Sequence, residues 1–299
     1  MTEVRQLATG LRFPEGPVRL DDGTVLLVEI ARGTVTRVAP GGAVSVVADG
    51  LPGPNGAALA PDGSIIVCDN GGRFDWLEVM GLTVPGPLTS AGWSGGSLRR
   101  IDPTTGEVTT LYTECDGRPL LAPNDLVLDG HGGVWFTDHG HQRERTTDRT
   151  GVLHAALDGS AIREVVHPLD APNGIGLSPA GDRLYVAETH HGRLLAWDVT
   201  GPGEVASTEG LNSGGEVLAH PGHGRLFDSL AVHPDGSVVV GTLGDGGLTI
   251  VRPDGSGFDH LALPDPLVTN VCFSADGSLA VVTLSGTGVL AELDWPPSG

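Results

Sequence analysis

A chain of 299 residues with 37 acidic and 17 basic side chains carries a formal charge of −20. That charge excludes a nucleic-acid partner, because phosphate binding needs a basic face. Every basic residue is arginine, so lysine Schiff-base chemistry and the usual pyridoxal phosphate anchor are excluded as well.

The first ten residues have neither the basic start nor the apolar core of a secretory signal, and no apolar run is long enough to span a bilayer. Cys68, Cys115 and Cys272 are odd in number, lack metal-type spacing, and in two cases fall inside expected strands. Free thiols in a reducing cytoplasm are the expectation. The acidity is read mainly as a solvated surface.

Val4–Ala8 is strand-like and stands ahead of any repeat, without a partner of its own. A plan then begins that recurs at 12–29, 53–69, 122–138, 171–188, 226–242 and 268–283. Its clearest copy, APNGIGLSPAGDRLYVAE at 171–188, has a small polar residue, a short apolar strand, a Gly-Asp turn and a second apolar strand ending on an acid. Third and fourth strands follow at 34–39 and 43–48, at Ser97–Ile101 and Val108–Tyr112, and at 151–155 and 162–166. The last copy stops after a third strand at 288–294. Four short antiparallel strands per repeat make a propeller blade. The expected fold is therefore all-β, a six-bladed β-propeller forming one domain over 1–299, with Val4–Ala8 supplying the missing outer strand and closing the ring.

Glu15, Asn55, Asn124, Asn173, Asp228 and Asn270 occupy one register, at the start of the innermost strand of each copy. Antiparallel geometry returns the second-strand ends, Glu29, Asp69, Asp138 and Glu188, to the same face, together with the loops that follow them. Two of those loops stand out. The stretch 70–96 is long and carries Phe74, Trp76, Leu77, Met80 and Trp93, enough apolar surface to cover something. The stretch 139–150 carries His139 and His141, while His190 and His191 hold the same place in copy four. Long loops on one face of a rigid scaffold concentrate function.

An Asn or Asp ahead of a strand commonly does no more than satisfy turn backbone. Turn chemistry gives no reason, however, for acids in copies one and five where the others carry Asn. Glu15, Asn173 and Asp228 can all aim at the axis of a ring, offering two carboxylates and an amide oxygen. Such an all-oxygen set suits a hard cation. Asn55, Asn124 and Asn270 are left to complete the shell, hold water or orient a substrate.

The motifs FPEGPV, PNDLVLDGHGGVWFTD, PNGIGLSPAGDRLYVAET and FDSLAVHPDGSVVVGT, taken in order, make the chain resemble the SMP-30/gluconolactonase group of six-bladed propellers along nearly its whole length. The resemblance implies one divalent cation in the channel with Glu15, Asn173 and Asp228 as ligands, and Asn124 beside the metal and substrate. Calcium is expected first, with Zn2+, Mg2+, Mn2+ or Fe2+ as alternatives. It further implies lactone hydrolysis, with Asp228 as first choice of base and His139 or His141 as competitors. Asn124 and Asn55 would then orient the small-molecule substrate, and Trp76 and His141 would contact it. Two departures stand against the pattern: Ala122 where some sugar lactonases carry arginine, and His139-Gly140-His141 after the FTD motif. A calcium-dependent phosphotriesterase, an enzyme of cyclisation, isomerisation or condensation, and a metal-free binding platform remain alternatives. Oligomeric state has no signature in this sequence.

Overall fold

A computed structural model describes residues 4–222 and 224–295, so the outermost residues of the expected 1–299 domain lie outside the described residues. Six sheets of antiparallel strands follow one another along the chain. Blade 1 is built from Pro14–Arg19, Val25–Glu29, Thr34–Val38 and Val44–Ala48, and blade 2 from Pro54–Leu59, Ile65–Asp69, Ser97–Ile101 and Val108–Tyr112. Blades 3, 4 and 5 begin with Pro123–Leu128, Pro172–Leu177 and Arg225–Val232. Blade 6 takes Val268–Phe273, Leu279–Leu284 and Val289–Asp294 from the C-terminal part and Val4–Ala8 from the N-terminal part. The last two pair antiparallel, Val4 opposite Leu293 and Gln6 opposite Ala291, which is the expected closure. The innermost strands neighbour one another around a complete circle. The fold is a six-bladed β-propeller.

The second strands read as continuous apolar runs because both of their faces are buried. Successive side chains of a strand point to opposite faces, so in blade 1 Leu26 and Val28 pack toward Ile65 and Val67 of blade 2. Val25 and Leu27 turn the other way, onto Val281 and Leu290 of blade 6 and onto Ala8 of the closing strand. The pattern repeats in blade 3, where Val134 and Phe136 face blade 2 and Trp135 faces blade 4. Each gap between blades thus holds its own hydrophobic cluster, which is how a closed ring replaces a single central core. The cysteines are free, with Cys68 and Cys115 buried among these layers.

Each second-strand acid has a structural task. Glu29 accepts the backbone N–H of Arg12 at 2.7 Å, Asp69 that of Gly53 at 3.0 Å, and Glu188 that of Asp170 at 2.8 Å. Asp138 accepts from Leu121 at 2.7 Å and Ala122 at 2.8 Å. In every case the carboxylate satisfies backbone donors of the segment entering its own blade, so the recurring acid latches the blade entrance.

The 70–96 stretch is not an irregular loop. Phe74–Val79 and Leu82–Thr89 form a β-hairpin, turned by Met80 and Gly81 at φ 52° and 82°. Left-handed φ at both turn residues matches the twist of the flanking strands. The hairpin lies across the ring: Thr83 N–H donates to Gly286 O beside blade 6 at 2.9 Å, and Thr89 N–H donates to Gln142 O in the blade 3 loop at 2.9 Å. Among the described residues no helix is long and apolar enough to cross a membrane.

Candidate functional site

Every innermost strand carries a register shift just after its start, between Pro172 and Ile175 in blade 4 and at the matching place in the others. A bulge of this kind re-aims the side chain beside it. The result is that Glu15, Asn55, Asn124, Asn173 and Asp228, from five blades, line one cavity of about 320 Å³. Glu15 and the three asparagines are buried, and Asp228 stays partly open to the cavity.

Asn270 departs from the expected register. Val268 pairs with Leu284 just as Pro172 pairs with Glu188, so Thr269, not Asn270, is the blade 6 counterpart of Asn173. Asn270 lies one residue further along and lines a separate pocket with Gly16 and Asp125. From there its Nδ2 donates to Glu15 Oε2 at 2.8 Å, so it steadies the acid without reaching the cavity.

Asp125 escaped the sequence reading. It occupies the position next to the register, where blades 1, 2 and 4 carry Gly16, Gly56 and Gly174. The glycines are needed there: a Cβ on Gly56 would stand 2.6 Å from Asn124 O and 2.9 Å from Asp125 Oδ1. Asp125 accepts backbone N–H groups of Leu126, Ile175 and Leu230, from three successive blades, yet its burial and the charge of Glu15 push its carboxyl up to about 8. The contrast of PND with the sibling PNG motifs was the signal that could have found it.

The acids of the polar floor lie close enough for the charge of one to act on the next. Burial pushes Glu15 up to about 7, against the hydrogen bonds of Asn270, Gly16 and Thr269 that favour its charge. Burial and the charge of Glu15 raise Asp228 well above the ordinary carboxylate range, while Asn173 Nδ2, donating to Asp228 Oδ1 at 2.5 Å, works the other way. Asn173 Oδ1 accepts from Ser229 at 3.3 Å. Asn124 Oδ1 is buried and has no hydrogen-bond partner among the described residues. Among the described residues no three His, Cys, Asp or Glu side chains gather in an arrangement that could hold an ion. The set facing the cavity has two carboxylates, and its further oxygens belong to amides.

Above the floor the walls change character. Phe13, Ile30, Phe74, Pro85, Pro87, Leu226, Leu243 and Leu267 make them largely apolar, and the polar wall groups include Arg73, His139, Gln142, Thr189 and His190. His139 is buried, its Nδ1 has no partner among the described residues, and burial together with the Arg73 charge holds its imidazole well below the usual histidine range. His190 stands edge-on to it at 5.8 Å and shares a 2.9 Å hydrogen bond with Asp170.

Two expected substrate contacts lie elsewhere. Trp76 packs against Phe13 at 4.9 Å and Phe74 at 5.7 Å, backing two cavity-wall rings without joining the wall itself. Simple alternation would put residues 74 and 76 of this strand on one face, and the register shift between them breaks that pattern, so Phe74 faces the cavity while Trp76 packs behind it. His141 points away, its Nε2 3.3 Å from Leu121 O and its ring against Trp93 at 4.5 Å. The left-handed Gly140 between the two histidines, at φ 72°, sends them in different directions.

The sequence profile of the SMP-30/Gluconolactonase/LRE-like region matches residues 13–285. A gluconolactonase of Zymomonas mobilis is 23% identical over 308 aligned positions, covering 95% of this chain and 79% of the relative. In solved structures, a gluconolactonase of Xanthomonas campestris superposes with a TM-score of 0.77 at 22% identity, covering 99% of this chain and 90% of that one. A calcium-binding regucalcin of Agrobacterium tumefaciens gives 0.76 at 19% identity, covering 98% and 93%. At these identities the structural likeness speaks for the fold, whereas the profile spans nearly all six blades. The chain belongs to the SMP-30/Gluconolactonase/LRE-like family.

Proposed function

We propose that this protein hydrolyses the ester bond of a lactone in the cavity at the channel mouth, with one divalent cation held by Glu15, Asn173 and Asp228. The observation that carries the reading is the meeting of two enclosed carboxylates, from blades 1 and 5, on a cavity floor otherwise made of amides, one of them the orphaned Asn124 Oδ1. This donor set fits a hard cation: burial and mutual repulsion disfavour ionising both acids alone, and a bound divalent ion favours it. Calcium is placed first because the regucalcin of like fold is a calcium-binding protein. Magnesium, manganese, zinc and iron(II) are the alternatives. The gluconolactonases among the relatives support a lactone as substrate.

When bound, the cation supplies Lewis acidity to the lactone carbonyl. Asp228 takes the proton of the attacking water, and Asn55 and Asn124 hold the substrate against the floor. Burial and the Arg73 charge favour the neutral imidazole of His139, so it accepts a hydrogen bond at the wall and adds no charge. The apolar upper walls favour a substrate with a hydrocarbon portion over a fully hydroxylated sugar lactone.

Elemental analysis of the purified protein, then a pH-indicator assay over gluconolactone, alkyl and aryl lactones and phosphotriesters with and without chelator, tests this reading. Lactone turnover that chelation abolishes is the expected result. Undiminished turnover in metal-depleted protein overturns the cation, preference for phosphotriesters overturns the substrate, and preference for the plain sugar overturns the hydrocarbon portion.

A further inference from the structure

Arg73 is the only buried arginine among the described residues, and it sits on the cavity wall at the foot of the hairpin. Most arginines of this acidic chain pair with a carboxylate. Of the four that find none among the described residues, Arg37, Arg145 and Arg149 are exposed, and Arg73 is not. Its Nε donates to Gly140 O at 2.9 Å, and its guanidinium carbon lies 4.6 Å from the Phe74 ring centroid. These contacts hold the plane of the group and leave its two terminal nitrogens without a hydrogen-bond partner among the described residues. The same wall carries His139, with its unpartnered Nδ1, and His190.

Among the described residues the only carboxylate charge acting on Arg73 is the more distant Asp138, outside ion-pair reach; an enclosed guanidinium so placed is costly to maintain, and its planar fork matches a carboxylate bidentately. In a protein with a charge of −20, acids to pair with are plentiful everywhere else. We propose that Arg73 binds a carboxylate carried by the substrate, so that the lactone hydrolysed here is an acid on a largely hydrocarbon frame. Its ester meets the acid and amide floor while its carboxylate meets the cationic wall. This rests on the hydrolase reading above and names the substrate class for that site.

The test is a matched pair, a five-membered lactone bearing a carboxymethyl group and the corresponding carboxamide, assayed with wild type, R73Q and R73K. Wild type is expected to favour the acid in kcat/KM by about 10–100-fold, mostly through KM, the worth of a charge-assisted contact. R73Q should lose that preference while turning over the carboxamide within about threefold of wild type, and R73K should keep part of it. Equal turnover of the pair by wild type overturns the assignment and leaves the hydrolase reading standing. An equal loss on both compounds in R73Q also overturns it, since that is the mark of a residue that only props the wall. If neither lactone is hydrolysed with any divalent cation, the hydrolase reading falls. Calorimetric binding of the two compounds to wild type and R73Q then decides Arg73 separately, with acid and amide bound alike counting against it.

Discussion

Asn173 and Asp228, 55 residues apart and on neighbouring blades, are joined by a 2.5 Å hydrogen bond from the amide Nδ2 to the carboxylate Oδ1. The bond spans the gap between two consecutive blades, and it pins the one acid that is open to the cavity. Replacing Asp228 by Ala should reduce kcat/KM on a lactone by on the order of 10³-fold, the scale of losing a carbonyl-polarising centre and its base together. Replacing Asn173 by Ala should cost less and weaken cation binding as well. Wild-type turnover in D228A, measured with the fold checked by circular dichroism, ends the proposed role.

Cation binding is expected to release protons. Without a cation Glu15 is held at about 7 by burial, and Asp228 is raised in the same direction. A divalent ion binds the ionised forms, so its affinity should climb as pH rises through about 7. Calorimetry in buffers of different ionisation enthalpy measures the protons directly, and an affinity flat between pH 5 and 8 contradicts the ligand assignment.

Stability of the cation-free protein should fall over the same range. Glu15 and Asp125 have folded pKa values of about 7 and about 8, above their ordinary 4.5 and 3.8. Their contribution is therefore present at low pH and lost as pH rises through the folded values. His139 acts oppositely: its lowered pKa means stability is lost as pH falls through the ordinary 6.5. Melting curves from pH 5 to 9, with chelator and with saturating calcium, should diverge most at the alkaline end.

Gly174 and Gly56 should not accept a methyl group. A Cβ on Gly174 would stand 2.6 Å from Leu230 N and 2.7 Å from Asp228 O, in the backbone of the next blade. Gly174→Ala should destabilise the fold by about 1–3 kcal/mol and lower activity by displacing Asp228. An unchanged denaturation midpoint would show that the inner strands can spread to make room.

Trp76 should matter for substrate preference and not for chemistry. It backs Phe13 and Phe74, so Trp76→Ala loosens the apolar wall while leaving the floor in place. The expected outcome is a rise in KM of about tenfold, on the order of the 1–3 kcal/mol a hydrophobic contact contributes to discrimination, on lactones with a hydrocarbon portion. kcat should stay near wild type.

Much of the fold was written locally. Alternating apolar strands, Gly-Asp turns and the missing outer strand of the last repeat specify six blades and their closure by Val4–Ala8, because strand order and turn chemistry are properties of contiguous residues. The repeat likewise placed Glu15, Asn55, Asn124, Asn173 and Asp228 at equivalent points, which became one cavity floor when the ring closed. Ring closure and side-chain direction decided the rest. Asn270 looked equivalent, yet strand pairing moves it one residue and out of the cavity lining, and Trp76 and His141 sit in the loops singled out but are not among the residues that line the cavity. Asp125 and Arg73 derive their meaning from burial and from neighbours on other blades, three backbone donors around the one and, among the described residues, no carboxylate in ion-pair reach of the other. Such surroundings exist only after distant segments have packed, because desolvation and pairing are set by the whole ring and not by the residues next in the chain.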